Sequence, residues 1–161
     1  MNNQTEHHSS GTARALPGST VLHIDDDPND SELLRAAAHR AGIPLSVQNI
    51  EDADQAVAYL AGKAPYENRE RFPLPSLILL DLKMPRATGF EVLRWVRSHP
   101  KHSNLPIVVL SGSELHEDMR QAYSIGADSY VVKPIGFDAL VSLVQNLHVT
   151  WLAAAAATSL V

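Results

Sequence analysis

The chain has 161 residues, enough for one domain of ordinary size with a buried core. Apolar residues make up 45%, which excludes a disordered chain, and 18 acidic residues outnumber 13 scattered basic ones, which argues against nucleic acid as a partner. There is no cysteine, so disulfides, thiolate metal sites and cysteine nucleophiles are excluded and a cytoplasmic location is expected. No apolar stretch reaches membrane-spanning length and no basic-then-apolar leader opens the chain, so no membrane association is expected.

Residues 1–18 are polar and read as a flexible tail, in which His7-His8-Ser9-Ser10-Gly11 is either a tag remnant or native sequence. The run TVLHI (20–24) predicts a first strand, with His23 as a packed, hydrogen-bonded core residue and the other histidines in solvent. A helix follows over 29–41. Asp27 is its natural N-cap, Pro28 its opening residue, and Asp30 adds charge to its first turn. Leu33, Leu34, Ala37, Ala38 and Ala41 share its apolar face, and Gly42 ends it.

LSVQNI (45–50) predicts a second strand and 52–62 a second helix. The connection over 62–75, with its three prolines and five charged residues, reads either as solvated loop or as partner contact. Further on come strand LILL (77–80), a helix over 89–98, strand IVVL (107–110), a helix over 114–125 capped by Gly126, and strand SYVV (129–132). Phe137, Leu140, Val141, Val144 and Leu147 line the face of a fifth helix. The alanine-rich stretch 151–161 can extend that helix, contact a partner or fray. The domain is therefore expected over 19–150.

Short continuous apolar strands alternating with helices predict an α/β fold, a parallel sheet covered on both faces. Ligands bind beyond the carboxyl ends of such strands. Four runs end there on reactive types: Asp25-Asp26, Asp81, Ser111 and Lys133. The second run ends at Ile50-Glu51, so it suits an edge, and the flavodoxin-like, doubly wound order 2-1-3-4-5 with five helices brings the other four ends together. One lysine does not balance three clustered carboxylates. An all-oxygen set calls for a hard divalent ion, Mg²⁺ first. Metal, lysine and hydroxyl together are the parts that hold a phosphoryl group, and a carboxylate can be its acceptor.

VLHIDDDP, LILLDLKMPRATGFEVL, PIVVLSGS and GADSYVVKP, in this order over about 19–148, resemble the receiver domain of two-component response regulators. The resemblance implies that Asp81 is the phosphoacceptor. Asp26 would then be a direct metal ligand, Asp25 one acting through water, and the Lys83 main-chain carbonyl a further ligand. It makes Ser111 the switch hydroxyl, Lys133 the cation that pairs with the phosphoryl group, and Tyr130 the aromatic switch. Pro134 would follow a cis Lys133–Pro134 bond, Gly89 would form the turn after the acceptor loop, and Gly112 would leave room beside the hydroxyl. Lys83 and Ser113 would tune hydrolysis.

The 62–75 loop and the absence of an output domain resemble a subgroup of stand-alone receivers associated with bacterial phytochromes. The partners implied are a sensor histidine kinase, a phytochrome in that subgroup, or a histidine phosphotransfer protein, and a homodimer through helix four, strand five and helix five. Such a chain catalyses its own phosphorylation and dephosphorylation without being a conventional turnover enzyme. A stretch as short as 151–161 leaves no room for a DNA-binding domain, so output is expected through a protein contact, a dimer change or a phosphate sink. The alternatives fit less well. A flavin module would not place three aspartates on its phosphate loop, an aspartate-nucleophile phosphatase would carry an acid where Lys83 stands, and a degenerate scaffold would have no use for a complete site.

Overall fold

The five apolar runs become five parallel strands in one sheet, ordered β2-β1-β3-β4-β5 as the strand-end argument requires. The computed structural model describes residues 19–153; the tail expected at 1–18 and residues 154–161 of the alanine-rich stretch lie outside the described residues. The elements are β1 (Ser19–Ile24), α1 (Pro28–Arg40), β2 (Leu45–Ile50), α2 (Ala53–Ala61), β3 (Leu77–Leu80), α3 (Gly89–Ser98), β4 (Ile107–Ser111), α4 (His116–Ile125), β5 (Ser129–Val132) and α5 (Phe137–Leu147). None of the described helices is long and apolar enough to cross a membrane.

Alternation along the strands builds two cores. Leu22, Ile24, Ile78, Leu80, Ile107 and Val109 face α2, α3 and α4, where Tyr59, Leu60, Val92, Leu93 and Val96 meet them. Val21, Leu77, Leu79, Val108 and Leu110 face the other way, onto Leu34, Ala37, Ala38, Val144 and Leu147 of α1 and α5. Both faces of β3 are buried, which is why LILL reads as an unbroken apolar run.

Asp27 caps α1 as expected, its side chain accepting from the Asn29 N–H, with Pro28 in the first turn. Leu33 departs from the expected apolar face and is half exposed. It sits about 100° around the helix from Leu34 and lies at the mouth of a cavity between α1 and α5. Helix α4 begins at His116, two residues later than expected, because Glu114 and Leu115 remain outside the helix, Leu115 as its N-cap. Beyond α5 the helix continues through a π turn, His148–Leu152, and Leu152 is buried against the α1–α5 side, so the described part of the extension prolongs the helix.

The 62–75 connection is charged outside and aromatic inside. Tyr66 and Phe72 pack against Tyr59, tilted and edge-on respectively, at centroid separations of 5.2 and 5.9 Å. The Arg69 guanidinium donates to the carbonyls of Tyr59, Leu60 and Phe72, satisfying the end of α2. His102 is buried beside Trp95 instead of solvated, since the turn after α3 folds back over that ring.

Arg97 joins α3 to the entry of β4 and to the α4–β5 turn. Its guanidinium donates to the carbonyls of Gly126, Ser103 and Leu105 at 2.8, 3.0 and 2.7 Å and to Asp128 at 2.9 Å. Arg97→Ala strands these acceptors and is expected to lower unfolding free energy by about 2–4 kcal/mol in urea titrations. Arg97→Lys is expected to recover less than half of that, because an ammonium cannot present the same planar fork.

Candidate functional site

The carboxyl ends of β1, β3, β4 and β5 meet in one polar cluster. Asp81 closes β3 at 5% exposure, Asp25 follows β1 at 0%, and Ser111 ends β4 at 0%. Main-chain pairing sets the positions: the Asp25 N–H donates to Ile50 O, the Asp81 N–H to Ile24 O and the Lys133 N–H to Ser111 O, at 2.9, 2.9 and 2.8 Å. Gly89 lets the chain return over the acceptor, since a Cβ there would stand 2.2 Å from the Asp81 carbonyl oxygen. The loop between them holds Arg86 at φ 73°, a strained conformation for a side-chain-bearing residue.

Lys133 gathers the acids. Its ammonium donates to Asp25 Oδ2 at 2.9 Å, Asp30 Oδ2 at 2.8 Å and Asp81 Oδ2 at 3.2 Å. Burial alone would lower its pKa, but the bonds to Asp30 and Asp25 outweigh that and hold it above the usual lysine range. Asp81 moves up from the ordinary carboxylate range. Burial is the main cause, opposed by the Lys83 N–H on Oδ1 at 3.1 Å and by Lys133, and reinforced by Asp25. The cluster therefore carries more negative charge than its lysine offsets.

Asp25 and Asp26 divide their work. Asp25 is fully engaged, with Oδ2 on Lys133 and Oδ1 accepting the Asp27 N–H at 2.9 Å. Asp26 is exposed, and its carboxylate has no hydrogen bond within the described residues. Carboxylate oxygens of Asp25, Asp26 and Asp81 lie within 4.8 Å of one another, an all-oxygen group that fits a hard divalent cation. Lys83 is next to them: its main chain bonds Asp81, while its side chain points outward, 63% exposed, to Asp118 at 3.5 Å.

Asp30 is the site residue that sequence reasoning missed. It was assigned only to the first turn of α1, yet it makes the shortest bond to Lys133, 103 positions away. The available signal was its place three residues after the N-cap, level with the strand ends. The cis Lys133–Pro134 bond expected from the resemblance is not present: the bond is trans, and the cis bond among the described residues is Ala64–Pro65. With the trans bond, strand pairing to Ser111 already carries the Lys133 side chain to its three carboxylates.

Ser111 Oγ accepts the Ser113 N–H at 3.2 Å. The Tyr130 ring packs against the α2–α4 core, and its hydroxyl donates to the Ser113 carbonyl at 2.8 Å. At Gly112 an added Cβ would meet nothing within 4 Å. Pro134 lines the cavity between α1 and α5, about 210 Å³, together with His23 and Phe137.

The sequence model of the response regulator receiver domain matches residues 21–145. The response regulator Rcp1 of Synechocystis sp. is 31% identical over 136 residues, covering 84% of this chain and 90% of Rcp1. The phosphorylated cyanobacterial phytochrome response regulator RcpA superimposes with a TM-score of 0.77 at 30% identity, over 85% of this chain and 96% of that one. The Mn²⁺-bound form of Rcp1 superimposes with a TM-score of 0.72 at 30% identity, over 83% and 94%.

His23 lies beneath Asp25. Its Nδ1 shares a 2.7 Å hydrogen bond with Ser31 Oγ, and its Nε2, 3.6 Å from Asp25 Oδ2, has no hydrogen-bond partner. Burial lowers its pKa to about 4, against the partial opposition of Asp25. The unfolded imidazole takes its proton near the ordinary value of 6.5, so stability is full above that pH and is lost progressively as pH falls from there to about 4. Urea unfolding at pH 7.5 and 4.5 is expected to show this loss, on the order of 3 kcal/mol from this group, and His23→Gln is expected to remove it from the pH profile.

Proposed function

The chain belongs to the response regulator receiver family, and on that premise we propose that Asp81 accepts a phosphoryl group from the phosphohistidine of a sensor histidine kinase or a histidine phosphotransfer protein. One observation carries the reading: Lys133 after β5 and the carboxylates of Asp25 and Asp26 after β1 converge on Asp81. An Asp81 oxygen attacks phosphorus in line, the O–P bond forms as the P–N bond breaks, and the electron pair returns to the donor imidazole. Lys133, already 3.2 Å from Asp81 Oδ2, stays with the charge as it passes to the phosphoryl oxygens.

Asp26, Asp81 and the Lys83 carbonyl would hold a divalent ion, with Asp25 acting through water. Mg²⁺ is the ion proposed, because hard oxygen ligands shared with a phosphate suit it. When bound, the ion offsets charge on the transferring group. Ser111 then donates to a phosphoryl oxygen and gives up the Ser113 N–H. The β4–α4 loop and Tyr130 respond, and the surface of α4, β5 and α5 changes its affinity for partners. Similarity to phytochrome response regulators supports a phytochrome as the kinase. A homodimer through α4, β5 and α5, a cytoplasmic location, and no role for nucleic acid or membrane complete the reading. A non-phosphorylated scaffold has no need of these residues in one place.

Incubation with acetyl phosphate and Mg²⁺ is expected to add one phosphoryl group to the intact mass. The adduct is expected to be absent with EDTA and absent in Asp81→Asn. No adduct under any condition, with a cognate kinase failing as well, overturns the reading. Light scattering with and without acetyl phosphate tests the dimer; a monomer mass at every concentration in both states overturns that part.

A further inference from the structure

Resting on the phosphoacceptor reading of Asp81, we propose that Asp118 is a positioning residue. It holds the Lys83 ammonium away from the acceptor, and Lys83 exchanges Asp118 for the phosphoryl group when that group arrives.

Asp118 stands in the first turn of α4 with its side chain only 14% exposed, 3.5 Å from Lys83 Nζ. It is the fixed partner of the two. The Ser113 hydroxyl donates to its Oδ2 at 2.6 Å, and the positive end of α4 favours its charge. Lys83, on a long and largely exposed side chain two residues past Asp81, is the mobile partner.

Ser113 joins this pair to the rest of the site. Its N–H is on Ser111 Oγ, its carbonyl takes the Tyr130 hydroxyl, and its own hydroxyl receives the Leu115 N–H at 3.3 Å. The first turn of α4 depends on these bonds. Leu115 at the N-cap supplies no side-chain cap, and Ala122 is the single buried residue of the helix. A phosphoryl group on Asp81 places close to two negative charges on the loop that carries Lys83, in competition with one carboxylate of Asp118. Ser111, turning to the same group, releases the Ser113 N–H. Two ties on the start of α4 are thus withdrawn by one event.

The test is a double-mutant cycle on the full chain, combining Asp118→Asn with Lys83→Ala. Asparagine keeps an acceptor for Ser113 and removes the charge, and alanine keeps the Lys83 carbonyl. Two quantities are read: the acetyl phosphate concentration giving half-maximal adduct with Mg²⁺ by intact mass, and amide exchange of residues 113–119 without phosphodonor. With Lys83 present, Asp118→Asn is expected to lower the half-maximal concentration about two- to five-fold, the range of an exposed ion pair, and to speed exchange. With Lys83→Ala it is expected to leave the half-maximal concentration unchanged and to speed exchange less, the remainder being the Asp118 charge at the start of α4. Equal effects in both backgrounds overturn the proposal, because Asp118 would then act as bulk negative charge. No effect in either background overturns it too. A wild-type chain that takes no phosphoryl group overturns the toggle together with the reading of Asp81; the exchange measurement, which needs no phosphoryl group, separates that outcome from a failure of the Asp118–Lys83 tie alone.

Discussion

One ammonium group holds this site together. Lys133 leaves the end of β5 and reaches Asp25 after β1, Asp30 in α1 and Asp81 after β3. In the order β2-β1-β3-β4-β5 these positions are separated by whole strands, so the lysine must cross β4 to meet them. Its four-carbon stem is long enough, and its three protons match the three acceptors. Asp25 and Asp81 alone would be costly at this burial; a shared cation and main-chain N–H groups make the cluster tolerable.

The compensation is incomplete, and that is the chemical content of the site. Asp81 stays above the usual carboxylate range although Lys133 and the Lys83 N–H both act on it. Asp26 has no hydrogen-bond partner among the described residues, while both oxygens of Asp25 are bonded. The fold has therefore built a place for added positive charge at Asp26 and Asp81. Gly89, with no Cβ, lets the returning chain approach the acceptor strand end closely beneath it.

Much of this was legible because strands buried on both faces leave a simple signature. Short apolar runs marked the strands, and the polar residue ending four of the five runs marked the site; the second run, ending at Ile50-Glu51, marked the edge. Pro28 separated Asp27, a helix cap, from the Asp25-Asp26 pair. What was not legible depended on long-range reach. Asp30 looked sufficient as first-turn charge, and nothing local reveals a lysine 103 residues away. The charges of the 62–75 loop hid a Tyr59–Tyr66–Phe72 cluster, since composition reports the exposed side chains as loudly as the buried ones. The Lys133–Pro134 expectation came from resemblance alone, and the local geometry delivers the lysine without a cis bond.

The two faces of the sheet differ in how firmly their helices are held, and this decides where a charge event at Asp81 can be felt. Helix α1 buries Leu34, Ala37 and Ala38 and packs along α5, so shifting it would expose several apolar side chains at about 1.5–3 kcal/mol for each large one. Helix α4 buries Ala122 alone, and its start rests on hydrogen bonds through Ser113 and Asp118. Charge-assisted bonds of about 1.5–3 kcal/mol are matched by the burial of Leu34 alone in α1, and meet less opposition at the first turn of α4. Tyr130 stands at that boundary, its ring packed against the core and its hydroxyl on Ser113, and so connects the loop after β4 to β5.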